Sequence, residues 1–287
     1  GVPKLRSHEM SLALDKVIRD NGGDIWYNSE VTKVIVKDGK PAGVVINGEK
    51  EIYGEYFICN SYPYAVFKDL FEKKDVPEMQ LKMLNARKTA CTLTTVYLGM
   101  NKTKEELGIK DYSVFIAPDS DSDKQYEAAQ GFFSGYCIIN CLNEIIPDCT
   151  PEGTSQLFLT TMTFNDVMKD IRPQDYKKFK TKVAKDMIET CEKALNISIT
   201  PYIEEIEIAL PPTFARYLNT PLGTPYGYML EKWDSMIPRT VQYMKDQPFE
   251  NFFFCGATQE RGDGYGCAYY TGEKAAGLVI KAMKEGK

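Results

Sequence analysis

The sequence predicts a mixed α+β fold, and three observations carry that expectation. Apolar residues recur at helical spacing, most clearly Tyr176, Phe179, Val183, Met187 and Cys191 within residues 174–195. Runs of β-forming residues bounded by turn signals recur along the chain. Near the C-terminus, Asn251-Phe252-Phe253-Phe254-Cys255 reads as a buried strand that leads through a glycine-rich stretch into a helix reaching Met283. At 287 residues the chain is long enough for about two domains.

Taken in order, residues 8–20 carry Leu12, Val17 and Ile18 at near-helical spacing, with Ser7 as the expected cap and Asn21-Gly22-Gly23 as the stop. Ile25, Tyr27, Val31, Val34 and Val36 predict a strand, and the Asp38-Gly39 turn leads it into a hairpin with Ala42 to Ile46. Asn47-Gly48 adds a third strand to the meander, and Tyr56-Phe57-Ile58-Cys59 reads as a short strand buried on both faces. From Pro63 the texture turns helical, at about 63–72 and 76–88, which marks the start of a second domain. The stretch from Cys91 to Gly99 alternates, with Leu93, Thr95 and Tyr97 on one face, and further strands are expected at 113–117, 136–141, 156–164 and 202–209. Asp119 to Lys124 reads as a polar loop, and Glu204, Glu205 and Glu207 as surface charge.

Composition removes several function classes. The 35 Lys and Arg against 40 Asp and Glu leave a net charge of −5, which provides no surplus of cations for a nucleic-acid backbone. No apolar run reaches the roughly 18 to 20 residues that cross a bilayer. The lysines of 177–185 read as a solvated helix face, and peripheral membrane contact has no support. Nothing marks export, so the expected location is cytoplasmic; the start at Gly1-Val2-Pro3, with no Met, suggests a chain that begins partway through a longer protein. The eight cysteines lack C-x-x-C spacing, and Cys59, Cys91, Cys137 and Cys255 lie in apolar runs, the pattern of reduced, buried thiols with no metal site. His8 is the sole histidine, which leaves no room for Ser-His or Cys-His machinery elsewhere; a polar helix start is its plainer reading and a cofactor-facing role the sharper one. No catalytic acid or base stands out, and the sequence is silent on oligomeric state.

The chemistry concentrates in the C-terminal strand, turn and helix. Gly256-Ala257-Thr258 and Gly262-Asp263-Gly264-Tyr265-Gly266 let the backbone approach a ligand, and a following helix N-terminus presents unpaired N–H groups to a pyrophosphate or an electron-rich ring edge. A plain tight turn is the simpler alternative. No G-x-G-x-x-G follows a strand anywhere in the sequence, so a nucleotide site here would lack its main phosphate-binding half.

Several segments resemble one family. Gly22-Gly23-Asp24-Ile25, Val31-Thr32-Lys33-Val34, Gly39-Lys40, Gly43-Val44, Ile58-Cys59-Asn60 and Pro63 are similar to the central segment of phytoene desaturase-like FAD-dependent oxidoreductases. Pro212-Thr213, Gly223-Thr224-Pro225-Tyr226-Gly227, Arg239-Thr240, Asn251 to Thr258, Gly262-Asp263-Gly264 and Thr271 to Ala276 resemble that family's C-terminal flavin motif. The resemblance implies a discontinuous FAD-binding domain at 1–62 plus 248–287 and a substrate domain at 63–247, built on a mostly antiparallel sheet with flanking helices. It implies FAD as cofactor, with Val31 at the adenine and Gly256, Ala257, Gly262, Gly264 and Tyr265 at the ribityl chain and flavin ring. It also implies an apolar small-molecule substrate, with Tyr226 near the ring. Two departures stand out: Arg6-Ser7-His8-Glu9 replaces a Gly-Gly common before the first helix, and Gly256-Ala257 replaces Gly-Asp after the last strand. The expected activity is hydride transfer to or from the flavin in the full-length protein, with this stretch alone holding FAD weakly or not at all and inactive. The alternative is a non-catalytic binding protein of the GDP-dissociation-inhibitor type.

Overall fold

The computed structural model describes residues 2–164, 166–235, 237, 239, 247–259 and 264–286. The chain divides into two compact units, each made of two stretches: residues 1–28 with 94–210, and 29–93 with 211–287.

The first unit begins with α1 (Ser7–Asp20), which buries none of its residues. Ser7 does not cap it: Arg6 occupies the cap position at φ 58, and the Glu9 carboxylate accepts from the Leu5 N–H at 3.0 Å. The body of the unit is a five-stranded sheet of β5 (Thr92–Met100), β6 (Ser113–Ile116), β7 (Cys137–Cys141), β8 (Ser155–Thr163) and β9 (Ile203–Ala209), in the order β6-β7-β8-β5-β9. The pairings β6/β7, β7/β8 and β5/β9 are antiparallel. Alternation decides which face each residue takes: Val96, Leu98, Cys137, Ile139, Leu157 and Leu159 pack inward, while Tyr97 and Phe158 meet across the outer face at 6.2 Å. The helix α5 (Tyr176–Leu195) covers the inner face with the stripe visible in its sequence, Val183, Met187 and Cys191. It ends because Asn196 turns left-handed at φ 53, ψ 47. Residues 119–124 are not wholly loop. A short helix α4 (Ser122–Ala128) starts there, with the Asp121 side chain accepting from the Asp123 and Lys124 N–H groups.

The second unit holds the meander β1 (Val31–Lys37), β2 (Lys40–Ile46) and β3 (Lys50–Tyr53), antiparallel throughout. The strand begins at Val31 rather than Ile25. β4 (Phe57–Cys59) pairs in parallel with β10 (Phe252–Phe254), Ile58 opposite Phe253. Because the pair has two strands among the described residues, Ile58 stays 47% exposed, and β4 is not buried on both faces. The helical stretch after Pro63 is α2 (Pro63–Ala65) running into a π-turn (Val66–Leu70), then α3 (Glu78–Ala86). Val66, Phe67, Phe71 and Leu84 bury against Phe252 and Phe254, which is why residues 63–93 fold with the parallel pair. α6 (Pro211–Leu218) also belongs here, and α7 (Gly264–Glu285) packs Ala275 on the opposite face against Phe253 and Cys255. The division therefore falls elsewhere than the expected boundaries, which placed 1–28 with the meander and 63–93 and 211–247 with the antiparallel sheet.

Candidate functional site

In an α/β arrangement ligands collect beyond the carboxyl ends of parallel strands. Here those ends are Cys59-Asn60-Ser61 and Cys255 to Thr258, joined by the Cys255 N–H donating to the Cys59 carbonyl at 2.9 Å. Gly256 follows at φ 89, with Asn60 Oδ1 against the position a Cβ would take. Its N–H donates to Thr271 Oγ1 at 2.9 Å, and that hydroxyl lies 3.0 Å from the Cys267 and Ala268 carbonyls. Thr271, fully buried in α7, thus ties the helix to the turn that precedes it.

A second strand-like segment presses on the same turn. A Cβ on Gly227 would lie 2.2 Å from the Ala257 carbonyl oxygen and 2.5 Å from Thr258 Cα, so only a residue without a side chain passes. The Gly227 carbonyl accepts from the Ala90 N–H at 3.1 Å and from Tyr62 Oη at 3.3 Å. Arg239 Nη2 donates to the Met229 carbonyl at 2.8 Å, and its Nε and Nη2 meet the Asp234 carboxylate at 2.9 and 2.7 Å. Arg87 Nε reaches the same carboxylate at 3.2 Å. A buried ion cluster therefore fixes the segment that carries Tyr226.

The titratable groups nearest the turn are held neutral. Burial pushes the Cys59 thiol up, and burial together with the neighbouring Cys59 pushes Cys255 to about 11. The two thiols sit on opposite faces of the pair, Cys59 toward Phe252 and Phe254 and Cys255 toward Ala275. Burial also raises Tyr62 and Tyr228, which stay phenols. The first turn of α7 contains no acidic residue, Gly264 stands at φ 70, and nothing lies within 4 Å of a Cβ placed on Gly264 or Gly266. Among the described residues nothing crowds the helix start, and its N–H groups suit an electron-rich partner. A glycine turn at paired strand ends, followed by a helix N-terminus, offers backbone N–H donors to an electron-rich ligand.

Of the residues singled out from sequence, Gly256 and Ala257 form the turn, Tyr226 reaches it through Gly227, and Gly264 and Tyr265 open α7, with Tyr265 61% exposed. Val31 opens β1 on the meander, opposite Ile46, and not on the parallel pair. Gly262 lies outside the described residues. His8 is exposed at the start of α1, in the other unit. Thr271, Gly227 and Tyr62 escape a reading of the sequence as site residues, although Thr271 and Gly227 fall inside the quoted motifs. None of the eight cysteines forms a disulfide, and no group of metal-ligating side chains occurs among the described residues.

The fold is shared with solved structures of about twice this length. A crystal structure of an oxidoreductase from Methanosarcina mazei superposes with a TM-score of 0.52 over 95% of this chain and 52% of that one, at 14% identity. Reduced UDP-galactopyranose mutase gives 0.56 over 95% and 50%, at 11% identity. Sequence similarity narrows the group. The chain is 26% identical over 217 residues to a chloroplastic prolycopene isomerase of Daucus carota, covering 76% of this chain and 34% of the relative. It is 25% identical over 285 residues to all-trans-retinol 13,14-reductase of Danio rerio (88% and 45%), and 24% identical over 286 residues to the neurosporene-forming phytoene desaturase of Rhodobacter capsulatus (95% and 52%). No protein-family model matches the chain. The chain is similar to the phytoene desaturase-like oxidoreductases, and it spans 34% to 52% of the length of these relatives.

Proposed function

We propose that this chain is part of an FAD-dependent oxidoreductase of the phytoene desaturase type, acting on an apolar small molecule. The observation that carries the reading is the turn at the ends of β4 and β10, held from one side by Thr271 and from the other by Gly227. Flavin bound there supplies a two-electron hydride acceptor or donor. The chain's own part is positioning. The turn at Gly256 and Ala257 and the first N–H groups of α7 face the flavin, Gly262 is assigned to the cofactor from its sequence motif, Val31 lies toward the adenine, and Tyr226 lies on the substrate side. The neutral thiols and phenols around the turn add no charge to repel an apolar substrate. The relatives' names, an isomerase, a reductase and a desaturase, support an enzyme over the binding-only alternative.

Residues 1–287 alone should hold FAD weakly, because the sequence offers no second glycine-rich loop for the pyrophosphate and ordering a long dinucleotide costs several kcal/mol. Titration with FAD, followed by flavin fluorescence and melting temperature, checks the placement. Weak saturable binding that Gly264→Val weakens further is expected. Equal affinity in wild type and Gly264→Val would remove the flavin from this turn.

A further inference from the structure

The first unit carries a hollow of its own, of about 280 Å³, between α4 and the ends of β7 and β8. Its apolar and aromatic walls are Tyr126, Ala129, Tyr136, Met162 and Phe164, and its polar lining is Ser122, Gln125 and Ser134. The site is built. Asp121 caps α4, the Phe164 N–H donates to the Ala129 carbonyl at 3.0 Å, and the Tyr126 and Phe164 rings meet at 5.3 Å and 40°. Thr161 Oγ1 donates to the Tyr136 carbonyl at 2.7 Å, and the Tyr136 N–H donates to Ser134 Oγ at 3.1 Å, which fixes the Tyr136 backbone beside Ser134.

Two hydroxyls lack work. Neither Tyr136 Oη nor the Ser134 hydroxyl proton meets an acceptor among the described residues, although both residues line the hollow. Burial raises Tyr136, which therefore remains a donor at neutral pH. No charged side chain lines the hollow among the described residues, and Lys124 and Asp119 of the adjoining hollow are paired with each other at 3.0 Å. A smaller hollow of about 150 Å³ adjoins and shares Gln125, Ser134 and Tyr136.

We propose that this hollow binds an uncharged, mainly apolar molecule about one ring thick whose single carbonyl oxygen accepts hydrogen bonds from Tyr136 and Ser134. The aromatic and thioether walls take the ring, and the hydroxyls of Tyr136 and Ser134, both in the lining, take the oxygen. The inference does not rest on the flavin reading, since every residue in it belongs to the first unit.

Isophorone, a trimethylated cyclohexenone, is the probe, and trimethylcyclohexane is the control without oxygen. In protein carrying ¹³C-methyl methionine, isophorone should shift the Met162 methyl signal saturably and leave the other methionines in place. Tyr136→Phe should weaken isophorone by roughly three- to tenfold, the loss of one hydrogen bond, and leave trimethylcyclohexane unchanged. Ser134→Ala supplies the same comparison if Tyr136→Phe changes the melting temperature. Absence of a saturable Met162 shift, or isophorone affinity that is the same in wild type and both variants, overturns the proposal. No flavin enters the experiment, so its outcome and that of the FAD titration stand apart.

Discussion

Gly227 and Gly264 are glycines for different reasons, and substitution separates them. At Gly227 an added methyl meets backbone, the Ala257 carbonyl at 2.2 Å, which cannot move without shifting the turn. At Gly264 the methyl meets nothing within 4 Å, and only the positive φ of 70° resists it. Gly227→Ala should therefore cost about 3 kcal/mol or more, and Gly264→Ala about 1 kcal/mol, read from urea midpoints. Thr271→Val keeps the shape and removes the acceptor of the buried Gly256 N–H; a loss of about 1–3 kcal/mol is expected, with Thr271→Ser close to wild type. Cys255 adds a pH dependence. Its folded-state pKa lies above the ordinary thiol value, so the folded state retains the proton longer than the unfolded chain does. That contribution is complete below about pH 9 and is lost as pH rises toward 11, up to about 2 kcal/mol. Cys255→Ala should flatten this part of the stability curve; an unchanged slope would show that the thiol is not desolvated.

Among elements, α4 is the instructive case. Its start was present in Asp121-Ser122-Asp123, a capping residue followed by an acid, but the run of short polar residues resembles a loop unless the Lys124–Ala128 helix formers are counted with it. Asp121→Ala should lower stability by about 1 kcal/mol and loosen the Tyr126 wall, visible as increased proton exchange across residues 122–129. Helix α5, the meander and the alternation of β5 and β8 were legible because their periodicity is local. The pairing of β4 with β10 was not, since nothing in a three-residue strand names a partner so distant in sequence. The close passage of Gly227 past Ala257 was hidden for the same reason: a glycine kept for a contact looks like a glycine kept for a turn. The turn's chemistry was legible and its supports, Thr271 and Tyr62, were not.

At the scale of the molecule, each unit has a separate interior. The first is centred on Leu98, Leu157, Leu159 and Met187, the second on Val66, Phe67, Phe252 and Phe254. Leu159→Ala, which removes a fully buried side chain, should cost about 2–5 kcal/mol in the first unit. Amide exchange at Phe253, in the second unit, should keep its protection; a parallel loss there would show that the two interiors unfold as one.

The parallel pair also governs the order in which the protein is made. Phe57 to Cys59 leave the ribosome long before Phe252 to Phe254, their β-partner among the described residues. Roughly 200 residues of synthesis separate them, about 10 to 40 s at ordinary elongation rates. Through that interval the Ile58 edge and the aromatic side chains of 66–71 have no Phe252 or Phe254 to meet, whereas the antiparallel sheet of the first unit can already close through neighbouring hairpins. Nascent chains halted before Phe252 should therefore depend on a chaperone that shields this segment, and release from it should coincide with emergence of the C-terminal strand.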